Sequence, residues 1–546
     1  MMSSNSEFEA SFAAAQKLHR EGQLAEAEQA YRQLAGPGEQ RERVLQPLVD
    51  LYLQSGHIQQ AIETLVALVQ EVPDSLPYSG HLAELLQTVG QAEAAIAVYE
   101  RLLARQPDMA DGHFSLAVTY KRNLQYQDAV RAYEKALALG IDRVEEVYSN
   151  LGVLHSDMRD AAKAKEMYER ALEANADYVP ALFNLAGLFD ETGDRQSAID
   201  IYERVLTNNP QHWDSLARLA QAQRVTDPED ELLDRLRAAV EQAGGDPLAQ
   251  EGLYFALGKA LDDVAAFEQA SVAYTEANAL GKRRNPPHDR QVTAKAFDEL
   301  IALFDADWIE RNTTESTASP IFVCGMFRSG STLIDQMLGS HPEITAGGEL
   351  EFLPWLIARN LGPYPQRVSG VSSHELQRIG EQYLSKTGEL FRDAVNLTDK
   401  RPDNFLHLGL VKAMFPRARI VYTRREKRDT CLSIFFQQFG GNLSYAADVE
   451  DTADYYDQHV RLMRHWQACF GENIFTVDYD ELVRSPEPVL RKLLEFLDVG
   501  WDARCLEFQR SEDAVKTASV WQVREGLHRT SSGRWRNYEA LIPSLK

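Results

Sequence analysis

The first half of this chain of 546 residues repeats itself. Small residues, a large aromatic residue and a proline recur in the same order at intervals of about 34 residues. A glycine ends one helix, an alanine lets the next helix approach closely, and a proline breaks the chain before the following unit. Each unit therefore predicts two short amphipathic helices. The six units are marked by Gly22-Ala27-Tyr31, Gly56-Ala61-Pro73, Gly90-Ala95-Tyr99-Pro107, Ala129-Tyr133-Ala136, Ala164-Tyr168-Ala171 and Gly193-Ala198-Tyr202-Pro210.

This pattern resembles the tetratricopeptide repeat. The resemblance covers residues 8–210, degrades over 211–248 and returns in a further unit at 249–282. It implies an all-α solenoid with a concave surface that recruits a peptide or protein partner. A spacer or a dimerisation element is the alternative. We therefore predict a repeat domain at 1–282 and a linker at 283–318, followed by a second domain at 319–546.

The composition predicts a soluble globular protein of several domains, with 44% apolar and 25% charged residues. The start of the chain is polar and acidic, which predicts no secretory signal, and no apolar run approaches the ~18 residues of a membrane span. The four cysteines are widely spaced, which predicts reduced thiols and no metal site. We expect a cytoplasmic protein.

The net charge of −25 is concentrated before Ser319, where it is −23, and from Ser319 onward it is only −2. A solvated helical surface and a surface for basic partners both fit this acidity. Nucleic acid is not an expected partner, because neutralising its phosphates requires an excess of Lys and Arg.

The second domain opens with a short apolar run, 320–324, which predicts a buried strand. The glycine loop Gly325–Thr332 follows, and apolar residues then recur at helical spacing. A strand, a glycine loop and a helix in this order form an anion site, because backbone N–H groups and the helix N-terminus point at one place. Gly325 and Gly330 match the spacing of a nucleoside-triphosphate loop, but Ser331 stands where that loop has its lysine.

The loop sequence Phe-Arg-Ser-Gly-Ser-Thr at 327–332 resembles the 5′-phosphosulfate loop of sulfotransferases. The resemblance implies a P-loop-like α/β domain with a parallel sheet, which uses 3′-phosphoadenylyl sulfate (PAPS) and releases 3′,5′-ADP. It also implies a set of cofactor-binding residues in the loop, namely Arg328, Ser329, Gly330, Ser331 and Thr332. The nearest branches are bacterial tetratricopeptide sulfotransferases and the tyrosylprotein enzymes.

A second basic loop follows an apolar run at 418–422, which predicts another buried strand. The family binds the 3′-phosphate of its nucleotide with an arginine just after a strand and a serine eight positions later. Arg425 and Ser433 stand at that spacing. A guanidinium and a hydroxyl suit a phosphate dianion.

A third block at 517–535 resembles the family segment that closes over the nucleotide. The resemblance implies a 3′-phosphate contact for Arg534 and a hydrogen bond to the transferring group for Ser519. Tyr479 stands where related enzymes have a tyrosine that contacts the nucleotide. A core aromatic residue is an equal alternative for Tyr479.

Sulfuryl transfer resembles phosphoryl transfer and needs a base for the acceptor hydroxyl and cations at the leaving oxygen. By resemblance to the tyrosylprotein branch, Glu349 is the predicted base, with Glu351 and His407 as alternatives. Arg328 and Lys400 are the predicted catalytic cations. No metal is required by this chemistry.

Two other functions stay open on the sequence alone: a non-catalytic repeat scaffold with a nucleotide-sensing domain, and a P-loop kinase. The acceptor is open among a peptide tyrosine, a sugar hydroxyl and a small phenol. We expect Trp355, Phe352 and the stretch 362–385 to contribute to its pocket. We also expect that deleting the residues before Ser319 spares nucleotide binding.

Overall fold

The computed structural model describes residues 2–36, 40–440, 443–510, 514–517, 520–524, 526–527 and 531–542. The chain divides into two compact units, Met1–Ala176 and Asp177–Lys546. Among the described residues, no helix is both long enough and apolar enough to cross a membrane.

The first unit consists of helices that pair in sequence, as the repeat pattern predicts. In four of the five pairs the second helix carries a buried tyrosine that packs against the first helix, and the second helix Ile58–Glu71 carries none. The helices are α1 (Met2–Arg20), α2 (Leu24–Leu34), α3 (Arg41–Gln54), α4 (Ile58–Glu71), α5 (Leu76–Thr88), α6 (Ala92–Arg105), α7 (Ala110–Arg122), α8 (Tyr126–Ala138), α9 (Val144–Asp157) and α10 (Ala161–Ala174).

The aromatic residues of the repeats are buried because each fills the gap between two helices. Tyr31, Tyr133 and Tyr168 are at most 3% exposed. Gly152 on α9 shows how close this packing is, since a Cβ atom there would lie 2.4 Å from the ring of Tyr168 on α10. The small residue is therefore required where the tyrosine crosses the first helix.

The second unit begins with further repeat helices. The predicted degenerate stretch and the predicted linker both contain helices. These are α11 (Val179–Thr192), α12 (Arg195–Asn208), α13 (Trp213–Ala222), α14 (Glu231–Gln242), α15 (Pro247–Asp263), α16 (Phe267–Arg284), α17 (Arg290–Leu303) and α18 (Ala306–Asn312).

A parallel sheet of five strands follows, in the order β2-β3-β1-β4-β5. The register places Val323 of β1 between Lys400 of β3 and Val421 of β4. The central strand β1 is buried along its whole length, as expected for a parallel sheet covered by helices on both faces. The strands are β1 (Ile321–Gly325), β2 (Ile344–Ala346), β3 (Asn396–Lys400), β4 (Arg419–Arg424) and β5 (Ile474–Asp478).

Helices connect the strands and cover the sheet, and short 3-10 turns lie between them. The predicted fold class, a helical-repeat solenoid followed by a parallel α/β domain, is confirmed. The helices are α19 (Ser331–Gly339), α20 (Phe352–Leu361), α21 (Ser373–Leu390), α22 (Leu408–Met414), α23 (Lys427–Phe435), α24 (Val449–Phe470), α25 (Tyr479–Arg484), α26 (Pro486–Phe496) and α27 (Val520–Arg524).

The repeat helices of the second unit and the α/β domain share one apolar core. Tyr274 of α16 stacks on Phe436, with ring centroids 4.2 Å apart. Asn278 of α16 donates a hydrogen bond to the carbonyl of Phe435 at 2.8 Å. The same cluster takes in Leu432 of α23 and Tyr538 near the end of the chain. Residues from Asp177 onward therefore fold around a core that crosses the predicted domain boundary.

Candidate functional site

A cleft opens where β1 and β4 end, at the carboxyl edge of the sheet. In open parallel sheets ligands bind at this edge, because loops and helix N-termini converge there. The cleft also receives residues from the segment 517–534. Of the residues predicted from the sequence, it brings together Arg328, Gly330, Ser331, Thr332, Glu349, Arg425, Ser433, Tyr479 and Arg534.

The glycine loop between β1 and α19 forms the floor of the cleft. Gly330 caps α19 with a φ of 100°, a conformation that L side chains rarely adopt. A Cβ atom at Gly330 would lie 2.5 Å from the ring of Tyr479. Arg328 also has a positive φ, 66°, so the loop holds a strained arginine at the site. The sharp turn lets the loop wrap around one point in front of the helix.

Ser331 and Thr332 open α19 and line the cleft. Their backbone N–H groups belong to the first turn, which has no partner within its own helix. Ser329 is turned away from the cleft, because its hydroxyl donates to the Met326 carbonyl at 2.6 Å and shares a hydrogen bond of 2.7 Å with the Thr423 hydroxyl. Ser329 therefore braces the loop against β4.

Arg328 connects three parts of the cleft wall. Its Nε donates to the Ser433 hydroxyl at 3.1 Å, and its terminal nitrogen donates to Gln522 Oε1 at 2.6 Å. Burial, together with the nearby charge of Arg425, lowers the pKa of Arg328 to about 10. The guanidinium is still charged at neutral pH, and a bound anion would relieve both costs.

Arg425 is buried beside the loop, with 7% of its surface exposed. Its terminal nitrogens donate to the carbonyls of Arg328, at 3.1 Å, and Ser531. The guanidinium lies 4.9 Å from the centre of the Tyr479 ring. Its Nε is buried and has no hydrogen-bond partner among the described residues. An unsatisfied buried donor of this kind is costly, and it is typical of a site that binds an anion.

Glu349, which lines the cleft, forms an ion pair with Lys400. Lys400 Nζ lies 2.6 Å from Glu349 Oε1. The Lys400 side chain is only 1% exposed, whereas that of Glu349 is 32% exposed. Glu349 therefore lines the cleft, and Lys400 lies behind it. Glu351, the alternative base, pairs with Arg401 at 2.7 Å, and its side chain is 61% exposed.

Described residues between Thr517 and Arg534 line one side of the cleft. The Thr332 hydroxyl contacts that of Thr517 at 3.4 Å, and Gln522 accepts the hydrogen bond from Arg328. Arg534 lines the cleft and also pairs with Asp262 of α15 at 2.5 Å. The predicted hydrogen bond of Ser519 lies outside the described residues.

Three other predicted residues do not line the cleft. His407 packs against the ring of Tyr364 at 5.1 Å, and burial lowers its pKa to about 4. Phe352 is buried, and Trp355 packs against Lys386, whose ammonium lies 4.9 Å from the ring centre. The expected acceptor residues Phe352 and Trp355 thus belong to the helices α20 and α21 beside the cleft.

Gln522, Thr517 and Phe439 line the cleft and were missed by the sequence reasoning. Gln522 lies 194 residues after the arginine it contacts. No local spacing links the two, so only the fold reveals the contact. Phe439 stacks edge-on against Phe327 at 5.5 Å, and an apolar pair of this kind had no distinguishing sequence pattern.

The described residues contain no group of His, Cys, Asp or Glu side chains arranged to hold a metal ion. Basic and hydroxyl groups instead converge from the loop, α23 and the segment 517–534. The fold is an α/β domain with a basic cleft, and it follows a helical repeat array.

Comparison with known proteins identifies both parts. Residues 320–503 match the model of the Sulfotransferase family. Residues 18–85, 81–144 and 143–211 match models of the tetratricopeptide repeat. The chain therefore combines a region that matches tetratricopeptide repeats with a region that matches the sulfotransferase family.

The relatives align over part of their own length. An uncharacterized protein of Aquifex aeolicus (strain VF5) is 32% identical over 305 residues, which cover 53% of this chain and 40% of that protein. Protein-tyrosine sulfotransferase A of Caenorhabditis elegans is 26% identical over 231 residues, 39% of this chain and 59% of that protein. The chain thus spans about half the length of these curated relatives. The sulfotransferase domain of the Synechococcus PCC 7002 olefin synthase is 20% identical, with a TM-score of 0.32, over 41% of this chain and 90% of that structure.

Proposed function

We propose that this protein transfers a sulfuryl group from PAPS to a hydroxyl acceptor. The observation that carries the proposal is the convergence of Arg328, Arg425 and Ser433 with the first turn of α19 in one cleft. The loop and the second basic site are distant in sequence, yet Arg425 donates directly to the Arg328 carbonyl at 3.1 Å. Two adjacent anion sites suit a nucleotide that carries phosphate groups at both ends of its ribose.

The cleft fits such a nucleotide in its polar groups. The N-terminal turn of α19, with Ser331 and Thr332, would hold the 5′-phosphosulfate end. Arg425, whose buried Nε has no partner among the described residues, would hold the 3′-phosphate with Ser433. PAPS supplies an activated sulfuryl group, and the chain supplies the groups that hold it and accept the proton of the acceptor.

Glu349 is the proposed general base. The Glu349 side chain lines the cleft and is partly exposed. It is also fixed in place, because Lys400 binds one of its carboxylate oxygens. A base has to reach the acceptor hydroxyl within hydrogen-bond distance, and the Glu349 side chain lines the cleft into which that hydroxyl would enter. Arg328, which lines the cleft, is proposed to stabilise the charge that develops on the leaving oxygen, and Lys400, which lies behind Glu349, is proposed to act through its ion pair with that base.

A tyrosine hydroxyl of a peptide or protein is the proposed acceptor. The support is that several relatives are named protein-tyrosine sulfotransferases, including the enzyme of Drosophila melanogaster at 26% identity over 216 residues. The repeats would recruit that polypeptide through their concave surface.

Nucleotide binding separates this proposal from its rivals. The melting temperature is measured with 3′,5′-ADP and, separately, with Mg-ATP, because a ligand that binds the folded state raises it. A rise with 3′,5′-ADP alone is expected. A preference for Mg-ATP would favour the kinase, and no response to either nucleotide would favour the scaffold.

A further inference from the structure

The segment 531–542 reaches from the cleft back to the repeat helices. Its Arg534 donates to Asp262 Oδ2 at 2.5 Å, and the hydroxyl of Tyr538 donates to Asp262 Oδ1. Asp262 is the next-to-last residue of α15, in the repeat unit formed by α15 and α16. Both oxygens of one repeat carboxylate are thus engaged by this segment.

The other side of the segment is held by α23. Asp429 accepts hydrogen bonds from the backbone N–H groups of Gly533 at 2.6 Å and Trp535 at 2.9 Å. The guanidinium of Arg428 lies 3.7 Å from the centre of the Trp535 ring. The backbone of the segment is therefore fixed from α23, while the side chain of Arg534 is fixed from α15.

Arg534 lines the same cleft as Arg425 and Ser433, and its charge acts on Arg328, which donates a hydrogen bond to Ser433. The guanidinium of Arg534 also lies 5.3 Å from the ring centre of Phe436, which follows α23. A guanidinium carries five N–H donors in a rigid fork, and the bond to Asp262 uses one of them. A carboxylate that holds one side of the fork directs the remaining donors. Burial opposes the charge of Arg534, but Asp262, together with Tyr274 and Tyr538, raises the pKa of Arg534 overall.

We propose that Asp262 is a positioning residue of the nucleotide site, through which the last repeat aims Arg534 at the 3′-phosphate. This inference rests on the proposed function. It makes α15 of the repeat array part of the support of the nucleotide site. Asp262 itself touches no nucleotide atom in this scheme, so its effect is confined to the end of the cleft where Arg534 lies.

Two effects of removing the Asp262 charge have opposite signs. Without its partner, Arg534 has to be ordered when the nucleotide binds, which weakens binding. The cleft also becomes more positive, which strengthens the binding of anions. We expect the loss of orientation to dominate, because a bidentate contact depends on the direction of the fork. The affinity for 3′,5′-ADP should then fall, while 5′-AMP, which lacks the 3′-phosphate, should bind as before.

The test compares full-length protein with Asp262→Asn and with a control, Glu203→Gln. Glu203 forms a similar repeat ion pair, 2.6 Å from Arg235, but does not line the cleft. Calorimetric titration gives the affinities for 3′,5′-ADP and 5′-AMP. The ratio of the two affinities is expected to fall about tenfold in Asp262→Asn, and to stay unchanged in Glu203→Gln.

An unchanged or increased ratio in a folded Asp262→Asn protein would overturn the inference. If the variant does not fold, Arg534→Gln with Asp262 intact takes its place, and a wild-type ratio in that folded variant would overturn it as well. If Asp262→Asn folds, the double variant should match Arg534→Gln alone, because the two residues act as one unit. Failure of the unsubstituted protein to bind 3′,5′-ADP would instead contradict the proposed function.

Discussion

Glu349 and Glu351 are two residues apart, and the structure separates them by their surroundings. The side chain of Glu349 is held by the buried Lys400 at the cleft, whereas that of Glu351 is mostly exposed and pairs with Arg401. The pair offers a matched comparison of a proposed base with a neighbouring acid of the same type.

Glu349→Gln is expected to lower kcat by about 10², because glutamine keeps the shape of the side chain but does not accept the proton. Nucleotide affinity should stay within about threefold of the original, since Glu349 faces the acceptor in this proposal. Transfer of labelled sulfuryl from PAPS to a tyrosine peptide measures the rate. Glu351→Gln is the control, and a Glu349→Gln protein with full activity would exclude this base.

Asp399 lies at the end of β3, next to Lys400, and is almost fully buried. It accepts hydrogen bonds from the hydroxyl of Tyr383 at 2.8 Å and from the Asn404 amide at 3.0 Å. Burial raises its pKa from the ordinary 3.8 to about 7. The folded protein therefore holds this proton more tightly than the unfolded chain does.

The stability that Asp399 contributes is present below about pH 4 and is lost as the pH rises to about 7. We expect the free energy of unfolding of the unsubstituted protein, relative to Asp399→Asn, to fall across this range. Urea unfolding at several pH values measures the difference. The exposed Asp393→Asn, in the turn before β3, should show no such trend. A difference for Asp399→Asn that is constant with pH would contradict the prediction.

At the scale of the elements, the glycine loop joins β1 to α19 in a conformation that requires a residue without a side chain. Gly330→Ala would place a methyl group against Tyr479 at a positive φ. We expect the affinity for 3′,5′-ADP to fall by at least about tenfold and stability by about 1–3 kcal/mol. Titration and urea unfolding measure the two effects.

Gly388→Ala is the control for the loop variant. Gly388 lies in α21, and a Cβ atom there meets nothing within 4 Å. Alanine at that position should leave nucleotide binding unchanged and raise stability by about 0.5–1 kcal/mol. Equal behaviour of the two variants would show that the loop geometry does not matter for binding.

The sequence predicted those elements whose signal is local. The strand, loop and helix at 321–339 are contiguous, so their periodicity and glycines indicated the site directly. Arg425 and Ser433 share one short stretch and were predicted from the spacing that the family resemblance implies. The contacts of Arg328 with Gln522, and of Arg534 with Asp262, join residues 194 and 272 positions apart. Such pairs depend on the packing of whole elements, which no spacing encodes.

Local sequence also left the direction of side chains open. Ser329 and Ser331 are two residues apart in the loop, yet only Ser331 lines the cleft, because the hydroxyl of Ser329 bonds to Met326 and Thr423. Lys400 was predicted beside the reacting group and lies behind Glu349. Whether Ser329 and Lys400 contribute to binding and catalysis stays a prediction.

At the scale of the whole molecule, the shared core of the second unit determines which fragments of the chain can fold. Cutting before Ser319 would remove the repeat side of a core that includes Tyr274 and would expose Phe436. The sequence alone led us to expect that such a deletion spares nucleotide binding. From the shared core we now expect that it impairs nucleotide binding.

The fragment 177–546 is expected to bind 3′,5′-ADP within about threefold of the full chain, because it keeps the core and Asp262. The fragment 319–546 is expected to aggregate or to lose binding, because its apolar face loses the repeat helices that cover it. Size-exclusion chromatography and calorimetric titration of both fragments measure this. A monomeric 319–546 fragment with full affinity would contradict the prediction.

The bond between Asp262 and Arg534 also bears on the order of events during synthesis. The ribosome completes α15 long before it makes its partner, 272 residues later. Loop closure over such a distance is slow compared with the pairing of neighbouring repeat helices. The repeats can therefore fold first. The segment that contains Arg534 then packs against them and completes the cleft. A newly made chain would acquire its affinity for nucleotide only after Arg534 has been made and has paired with Asp262.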